Sequence, residues 1–230
     1  MELTQRGVPV GALDSDTRAD FILRTYTHLV GAMLAFVAVE YVLFTTGIAQ
    51  AIAAPMAGNW LLVLGGFVLV SWLASRAAHT ARSKAAQYAA LGGFVIAEAL
   101  IFAPLLYSAM LATGDLSLIN NAAWVTLLGL AGLTGVAFWT RKDFSFLGGL
   151  LKWAFVLAIV AIVSALLFGF ELGTWFSIAM IGLAGAAILY DTSNVLHHYP
   201  EDRYVAASLE LFASVALMFW YVLRLFMSRD

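Results

Sequence analysis

The residues of this sequence best suited to chemistry are two acids, Asp191 and Glu210, that lie inside long apolar stretches. Residues 197–203 separate these stretches and predict a hairpin between two helices. At 1.5 Å per residue, Asp191 lies ~8 Å and Glu210 ~10 Å below the turn, so the two carboxyls share a depth. If they face each other, repulsion between like charges favours a shared proton or a bound cation, which predicts a pH sensor or an ion site.

Two further polar residues bear on this hypothesis. Ser214 follows Glu210 by one helical turn on the same face and can donate a hydrogen bond to either carboxyl. In the alternative, one acid faces the lipid headgroups and the other takes an arginine partner, and spacing alone leaves both open. Glu98 lies mid-helix before Pro104, where a broken helix can line a cavity, and a structural role is equally compatible with that position.

The remaining ionisable residues give little indication of catalysis. Glu40 and Lys152 lie near helix ends and are interpreted as structural. The four histidines are scattered over the first apolar stretch, a loop and the hairpin, and the chain has no cysteine and none of the common hydrolase or zinc motifs. We therefore expect neither an enzyme nor a resident cofactor, and a transiently bound cation is the one ligand that the carboxyls suggest.

The elements that position these residues follow from composition. Of 230 residues, 63% are hydrophobic and 11% charged, which is typical of an integral membrane protein. Long apolar runs without alternation favour helices, so we predict an all-α fold with a short amino-terminal segment, 1–21, and one transmembrane domain, 22–230. The seven predicted spans are Ile22–Ile48, Trp60–Ser75, Ala85–Leu111, Asn121–Thr140, Leu147–Phe168, Trp175–Leu196 and Tyr204–Met227.

Orientation follows from the basic residues, which fall mostly on one side of the predicted spans. The intervening loops, 49–59, 112–120 and 169–174, contain no lysine or arginine. Because basic loops stay in the cytoplasm, we predict a cytoplasmic amino terminus, and seven spans place the carboxyl terminus outside. Arg224 and Arg229 oppose this pattern, and a last helix that fails to cross would return the terminus to the cytoplasm. No basic run suits nucleic acid. The residues on the basic side are Arg6, Arg18, Arg24, Arg76, Arg82, Lys84, Arg141, Lys142 and Arg203.

Several segments carry a family resemblance. The stretches 188–194 (ILYDTSN), 200–204 (PEDRY) and 207–212 (ASLELF) resemble the Bax inhibitor-1, or transmembrane Bax inhibitor motif, family. Residues 24–26 (RTY) and 142–148 (KDFSFLG) agree with its bacterial members. The resemblance implies a seven-helix bundle with the last helix central. It also implies a pH-sensitive calcium leak in some members, cell-death suppression in eukaryotes and modulation of a membrane-bound protease in some bacteria.

In that family an aspartate pair on the last two helices closes a pore, with an arginine near the second helix as its partner. Asp191 matches the first aspartate, whereas Ser214 stands at the position of the second. Either Glu210, one turn earlier, takes the place of the second carboxylate, or the sensor is altered. Arg76 is the best candidate for the arginine, although the register there requires a gap.

Two functions follow as expectations. The first is a pH-sensitive ion leak, calcium being the first candidate, in the bacterial inner membrane, with Asp191, Glu210, Ser214, Arg76 and Glu98 along the ion pathway. The second is a non-conducting regulator that binds a membrane partner such as a membrane-bound protease. The lipid bilayer is the surrounding partner in both cases.

Overall fold

The computed structural model describes residues 7–58, 60–80 and 83–228, and these are almost entirely helical, with no β-strand among them. Six of the helices in this part of the chain, α1 and α4 to α8, are long and apolar enough to cross a membrane. The prediction of a helical membrane protein is therefore confirmed. The helices are α1 (Ser15–Thr45), α2 (Ile48–Gly58), α3 (Trp60–Thr80), α4 (Lys84–Thr113), α5 (Ser117–Thr140), α6 (Leu147–Phe168), α7 (Gly173–His197) and α8 (Tyr204–Met227).

The first helix begins earlier than the apolar pattern predicts. Asp14 caps α1, because its carboxylate accepts hydrogen bonds from the backbone N–H groups of Thr17 and Asp16 at 3.0 and 3.1 Å. These bonds hold the pKa of Asp14 below its ordinary value, and the bond from Thr17 has the largest effect. Upstream of the cap, Val10 is fully buried and its N–H donates to the carbonyl oxygen of Tyr199 at 2.9 Å. The amino-terminal segment is thus attached to the α7–α8 hairpin.

The prediction of a loop at 49–59 is wrong, because residues Ile48–Gly58 form α2. Gly47, at φ 76°, has a left-handed backbone conformation that separates α2 from α1. The alanine-rich sequence that follows has a high helix propensity. The new helix packs against α4, where Ala49 joins a buried cluster with Ala99 and Ala103. The second predicted span corresponds to α3, which is not among the six candidates, so its crossing of the membrane stays a prediction.

Of the candidate spans, the last helix has the largest fraction of buried residues. It contacts α1, α3, α4, α5 and α7, and its closest partner is α7. By contrast, α6 packs mainly against α7 and buries only Leu151 and Ala158. The α7–α8 pair is therefore the best-packed part of the bundle.

Several basic residues meet at one end of the bundle, which we call the basic end. There the Lys84 ammonium donates to the carbonyl oxygen of Asp202, and the Arg203 guanidinium donates to that of Ala78 at 3.3 Å. Arg24 lies over the ring of Tyr204 in the same region. Arg224 lies near the other end of α8, and the predictions for Arg6, Arg82 and Arg229 fall outside the described residues.

Candidate functional site

The site is built around residues 190–194 of α7, close to the basic end. Asp191 is buried, and its Oδ2 accepts a hydrogen bond of 2.6 Å from Ser214 Oγ on α8, which is buried to the same extent. Among the described residues this is the only hydrogen bond to the Asp191 carboxyl. The expected contact between Asp191 and Ser214 is therefore present, and it joins the two best-packed helices.

The next two residues of α7 contact other parts of the bundle. Tyr26 on α1 donates from its hydroxyl to Thr192 Oγ1 at 3.3 Å. Ser193 Oγ accepts the backbone N–H of Phe144 at 2.8 Å and donates to Asp143 Oδ1 at 3.4 Å. Three consecutive residues of α7 therefore join α8, α1 and the loop before α6. Three of the five segments that carry the family resemblance, 24–26, 142–148 and 188–194, meet in these contacts.

Asp143 lies in the loop before α6, and Gly148 lies in the first turn of α6. Asp143 accepts the backbone N–H of Ser145 at 2.8 Å and lies 3.0 Å from His198 Nε2, and these interactions, with Ser145 the largest, lower its pKa to about 2. At Gly148, an added Cβ would lie 2.9 Å from Cε2 of the Tyr190 ring. The glycine therefore permits the close approach of α6 to α7 at this point.

Glu210 takes different partners from those predicted. Its Oε1 accepts a hydrogen bond of 2.5 Å from Ser75 Oγ and lies 3.1 Å from His79 Nε2. His79 belongs to the last turn of α3, not to a loop, and its ring stacks on Tyr199 with 5.8 Å between centroids. No hydrogen bond joins the carboxyls of Glu210 and Asp191 in the part of the chain that the structure describes. Glu210 thus connects α8 to α3.

Ser75 and His79 are functional candidates that the sequence analysis missed. They are one helical turn apart at the end of an apolar helix, so they share a face, and both are polar. The one-turn spacing of two polar residues in an apolar helix could have indicated a functional face of α3. It does not by itself identify Glu210 as the common partner, because the contact spans more than half of the chain.

The other two predicted site residues are not near this contact. The Arg76 guanidinium is exposed and lies 5.4 Å from the centroid of the Trp72 ring, and neither Asp191 nor Glu210 is among its contacts. Glu98 is 1% exposed, and within the described part of the chain neither of its carboxyl oxygens has a hydrogen-bond partner. The helix around it, α4, continues unbroken through Pro104.

A cavity of about 820 Å³ opens at the end of the bundle opposite to the basic end. It lies between α4, α6, α7 and α8, with Glu171 and Arg224 in its wall, and Glu98 is not part of its lining. On α8 the lining reaches Ala216, two residues from Ser214, which is ~3 Å along a helix. On α7, however, the lining reaches only Ser177, which is fourteen residues or ~21 Å from Asp191 along the helix, so the cavity approaches the level of the contact only along α8. Within the described ranges, no three His, Cys, Asp or Glu residues come together as a metal site.

Comparison with known proteins gives the same family as the resemblance of the sequence segments. A family model described as "Inhibitor of apoptosis-promoting Bax1" matches residues 18–230. Among curated proteins, "Protein LIFEGUARD 4" of Arabidopsis thaliana is 30% identical over 94% of this chain and 87% of its own length. "Modulator of FtsH protease YccA" of Escherichia coli is 35% identical over 40% of this chain and 42% of its own length. "Bax inhibitor 1" of Schizosaccharomyces pombe is 32% identical over 47% of this chain and 41% of its own length.

The chain spans about half the length of the first curated relatives that it matches. The family model, however, covers nearly all of the chain, including every segment that contributes to the contacts of α7. With six apolar helices long enough to cross a membrane, this chain is a multi-pass membrane protein and belongs to the Bax inhibitor-1 family.

Proposed function

We propose that this protein is an ion leak of the bacterial inner membrane, with calcium as the first candidate ion, whose conduction depends on the protonation of Asp191. In this proposal seven helices span the membrane, α8 lies at their centre, and the amino terminus is cytoplasmic. The observation that supports it is the buried hydrogen bond between Asp191 and Ser214, which joins α7 to α8.

The mechanism rests on the charge of one carboxyl. A hydrogen bond to an ionised carboxylate is about twice as strong as one between neutral groups, so the contact between α7 and α8 weakens or strengthens with the proton on Asp191. When the contact separates, the cavity gains a continuation towards the basic end. The flux then depends on pH through a residue that lies on the path itself.

The chemistry of the path favours a cation. Carboxylate and hydroxyl oxygens are the ligands that calcium prefers, and Asp191, Ser214 and, at the cavity, Glu171 supply them. Arg224 lines the same cavity and its positive charge offsets part of this attraction. Only a weak and transient site is therefore proposed.

The experiment is a flux measurement on purified protein in liposomes that contain a calcium-sensitive dye, at pH 5, 6, 7 and 8. We expect a pH-dependent flux for the wild type and a flat profile for Asp191→Asn, which keeps the shape but cannot ionise. Asp115→Asn, in the loop before α5, is the matched control and should keep the wild-type profile. An Asp191→Asn protein that folds normally and retains the full wild-type profile would refute the assignment.

A second function, a non-conducting regulator of a membrane protease, also has support. One relative is named as a modulator of FtsH protease. In addition, α6 packs mainly against α7 and leaves Trp153, Val156 and Val160 exposed, a surface on which a partner helix fits. A background-level flux without pH dependence, together with a cross-link from position 153 to co-reconstituted FtsH protease, would favour this function over the leak.

A further inference from the structure

A second concave feature lies between α1 and α4, on the outer surface of the bundle and away from Asp191. It is a groove of about 450 Å³ lined by Gly31, Ala35 and Val39 on α1 and by Gly92 and Ile96 on α4, among others. A Cβ atom added at either glycine would meet no atom within 4 Å. The groove therefore exists because these positions carry no side chain, and it opens towards the lipid.

The end of the groove nearest the basic end is polar. His28 and Tyr88 line it there, and His28 Nε2 lies 2.9 Å from the Tyr88 hydroxyl. One helical turn further out, α1 carries Arg24 and α4 carries Lys84. Both cations lie over the ring of Tyr204, at 5.7 and 3.8 Å from its centroid. Two positive charges from two helices therefore converge above an apolar groove.

The present partners of these cations leave donors available. Arg24 pairs with Asp20 at 2.8 Å, but both side chains are about half exposed, and such surface pairs are weak. Lys84 donates to the carbonyl oxygen of Asp202, and an ammonium group has three donors. The Asp202 carboxylate itself lies 3.4 Å from Arg203. An anionic group at this place would thus meet two cations whose existing contacts are exchangeable or incomplete.

The length of the groove matches one leaflet of a membrane. From His28 to Val39 a helix rises ~16 Å, and half of the hydrocarbon core of a bilayer measures ~15 Å. The order of chemistry along this length is cationic, then polar, then apolar, which is the order of a phospholipid from phosphate to ester to acyl chain. Basic pockets between membrane helices are known to suit anionic lipid headgroups.

We propose that the α1–α4 groove binds one anionic phospholipid from the leaflet at the basic end. Its phosphate contacts Arg24 and Lys84, its ester region lies at His28 and Tyr88, and one acyl chain lies along the groove. This site is separate from the ion path and does not depend on the proposed leak.

The test is native mass spectrometry of the purified full-length protein, titrated with phosphatidylglycerol or phosphatidylcholine of identical acyl chains. We expect phosphatidylglycerol to bind more tightly. Arg24→Gln and Lys84→Gln should each weaken its binding roughly fivefold and leave phosphatidylcholine unaffected, because each removes one charge near the membrane surface. The double variant Gly31→Leu with Gly92→Leu should remove the tight site, since leucine occupies the open space.

The matched control is Gly132→Leu on α5. Gly132 is also exposed and also has no atom within 4 Å of an added Cβ, so the control adds the same apolar bulk outside the groove. It should bind phosphatidylglycerol as the wild type does. Melting temperatures establish that each variant is folded, and the two charge variants decide the question if the double leucine variant is not.

Any of three results would overturn the proposal. The first is equal binding of the two lipids by the wild type, and the second is unchanged phosphatidylglycerol binding after the groove is filled. The third is a change in oligomeric state, rather than in bound lipid, when the groove is filled, because the occupant would then be a second copy of the chain.

Discussion

Replacing Ser214 by alanine removes the hydrogen bond that the buried Asp191 carboxyl accepts. Leaving a buried polar group without its partner costs about 1–3 kcal/mol, and more when the group is charged. Since both side chains are only 8% exposed, water can replace little of the lost bond. We therefore expect Ser214→Ala to lower the free energy of unfolding by about 2 kcal/mol, which corresponds to roughly 4–8 °C in melting temperature for a chain of this size.

The assay is thermal unfolding of the detergent-purified protein at pH 7, followed by tryptophan fluorescence. Ser208→Ala is the matched control, because Ser208 is also buried in α8 but donates within its own helix, to the carbonyl oxygen of Val205 at 2.8 Å. Its loss leaves no carboxyl without a partner. We expect the control to cost less than about 1 kcal/mol.

A double-mutant cycle isolates the contact itself. In an Asp191→Leu background the serine has no carboxyl to satisfy, so Ser214→Ala should then cost less than about 0.5 kcal/mol. The reasoning is refuted if Ser214→Ala destabilises both backgrounds equally, or if it costs no more than Ser208→Ala. Either result would mean that the bond contributes nothing to holding α7 against α8.

Three further predictions concern topology, packing and acid stability. A cysteine introduced at Ser83 should react only from the cytoplasmic face, and labelling from outside would contradict the predicted orientation. Gly148→Ala should lower the melting temperature because the facing ring on α7 lies 2.9 Å from the new Cβ, whereas Gly149→Ala, with no atom within 4 Å, should be neutral. The pKa of Asp143 is lowered from 3.8 to about 2, so its stabilising contacts are complete above pH 4 and are lost as the pH falls to 2. Backbone hydrogen exchange at Ser145 should rise in that window, after correction for intrinsic rates, and Asp143→Asn should abolish this dependence.

Most helices were predictable because apolar length and charged boundaries determine them. The bounds of α6 and α8 equal those predicted, since a charged loop precedes each helix and Gly169, at φ 71°, ends α6. The pattern failed at α2, because its eleven residues are too short to span a membrane. A helix too short to cross the membrane lacks the long apolar run by which spans are predicted.

The same distinction holds for the site. The contact of Asp191 with Ser214 was predictable in part, because Ser214 follows Glu210 by one turn on the same face, although the shared depth indicated Glu210 as the neighbour of Asp191. The partners of Glu210 were not, since the position of α3 against α8 depends on the packing of the whole bundle and not on a local connection. Residues 131 and 135 positions apart in sequence, His79 and Ser75, meet Glu210 there.

Asp191 and Glu210 were predicted to lie at similar depths, but their hydrogen bonds join different helix pairs. Asp191 joins α7 to α8, whereas Glu210 joins α8 to α3 through Ser75 and His79. No hydrogen bond joins the two carboxyls among the described residues, so the substitution of Glu210 for the second aspartate of the family stays a prediction. A substitution at Asp191 removes the hydrogen bond between α7 and α8 but leaves the apolar packing of that pair and the bonds between α8 and α3. If α8 moves as the proposed leak requires, we therefore expect both polar contacts to separate.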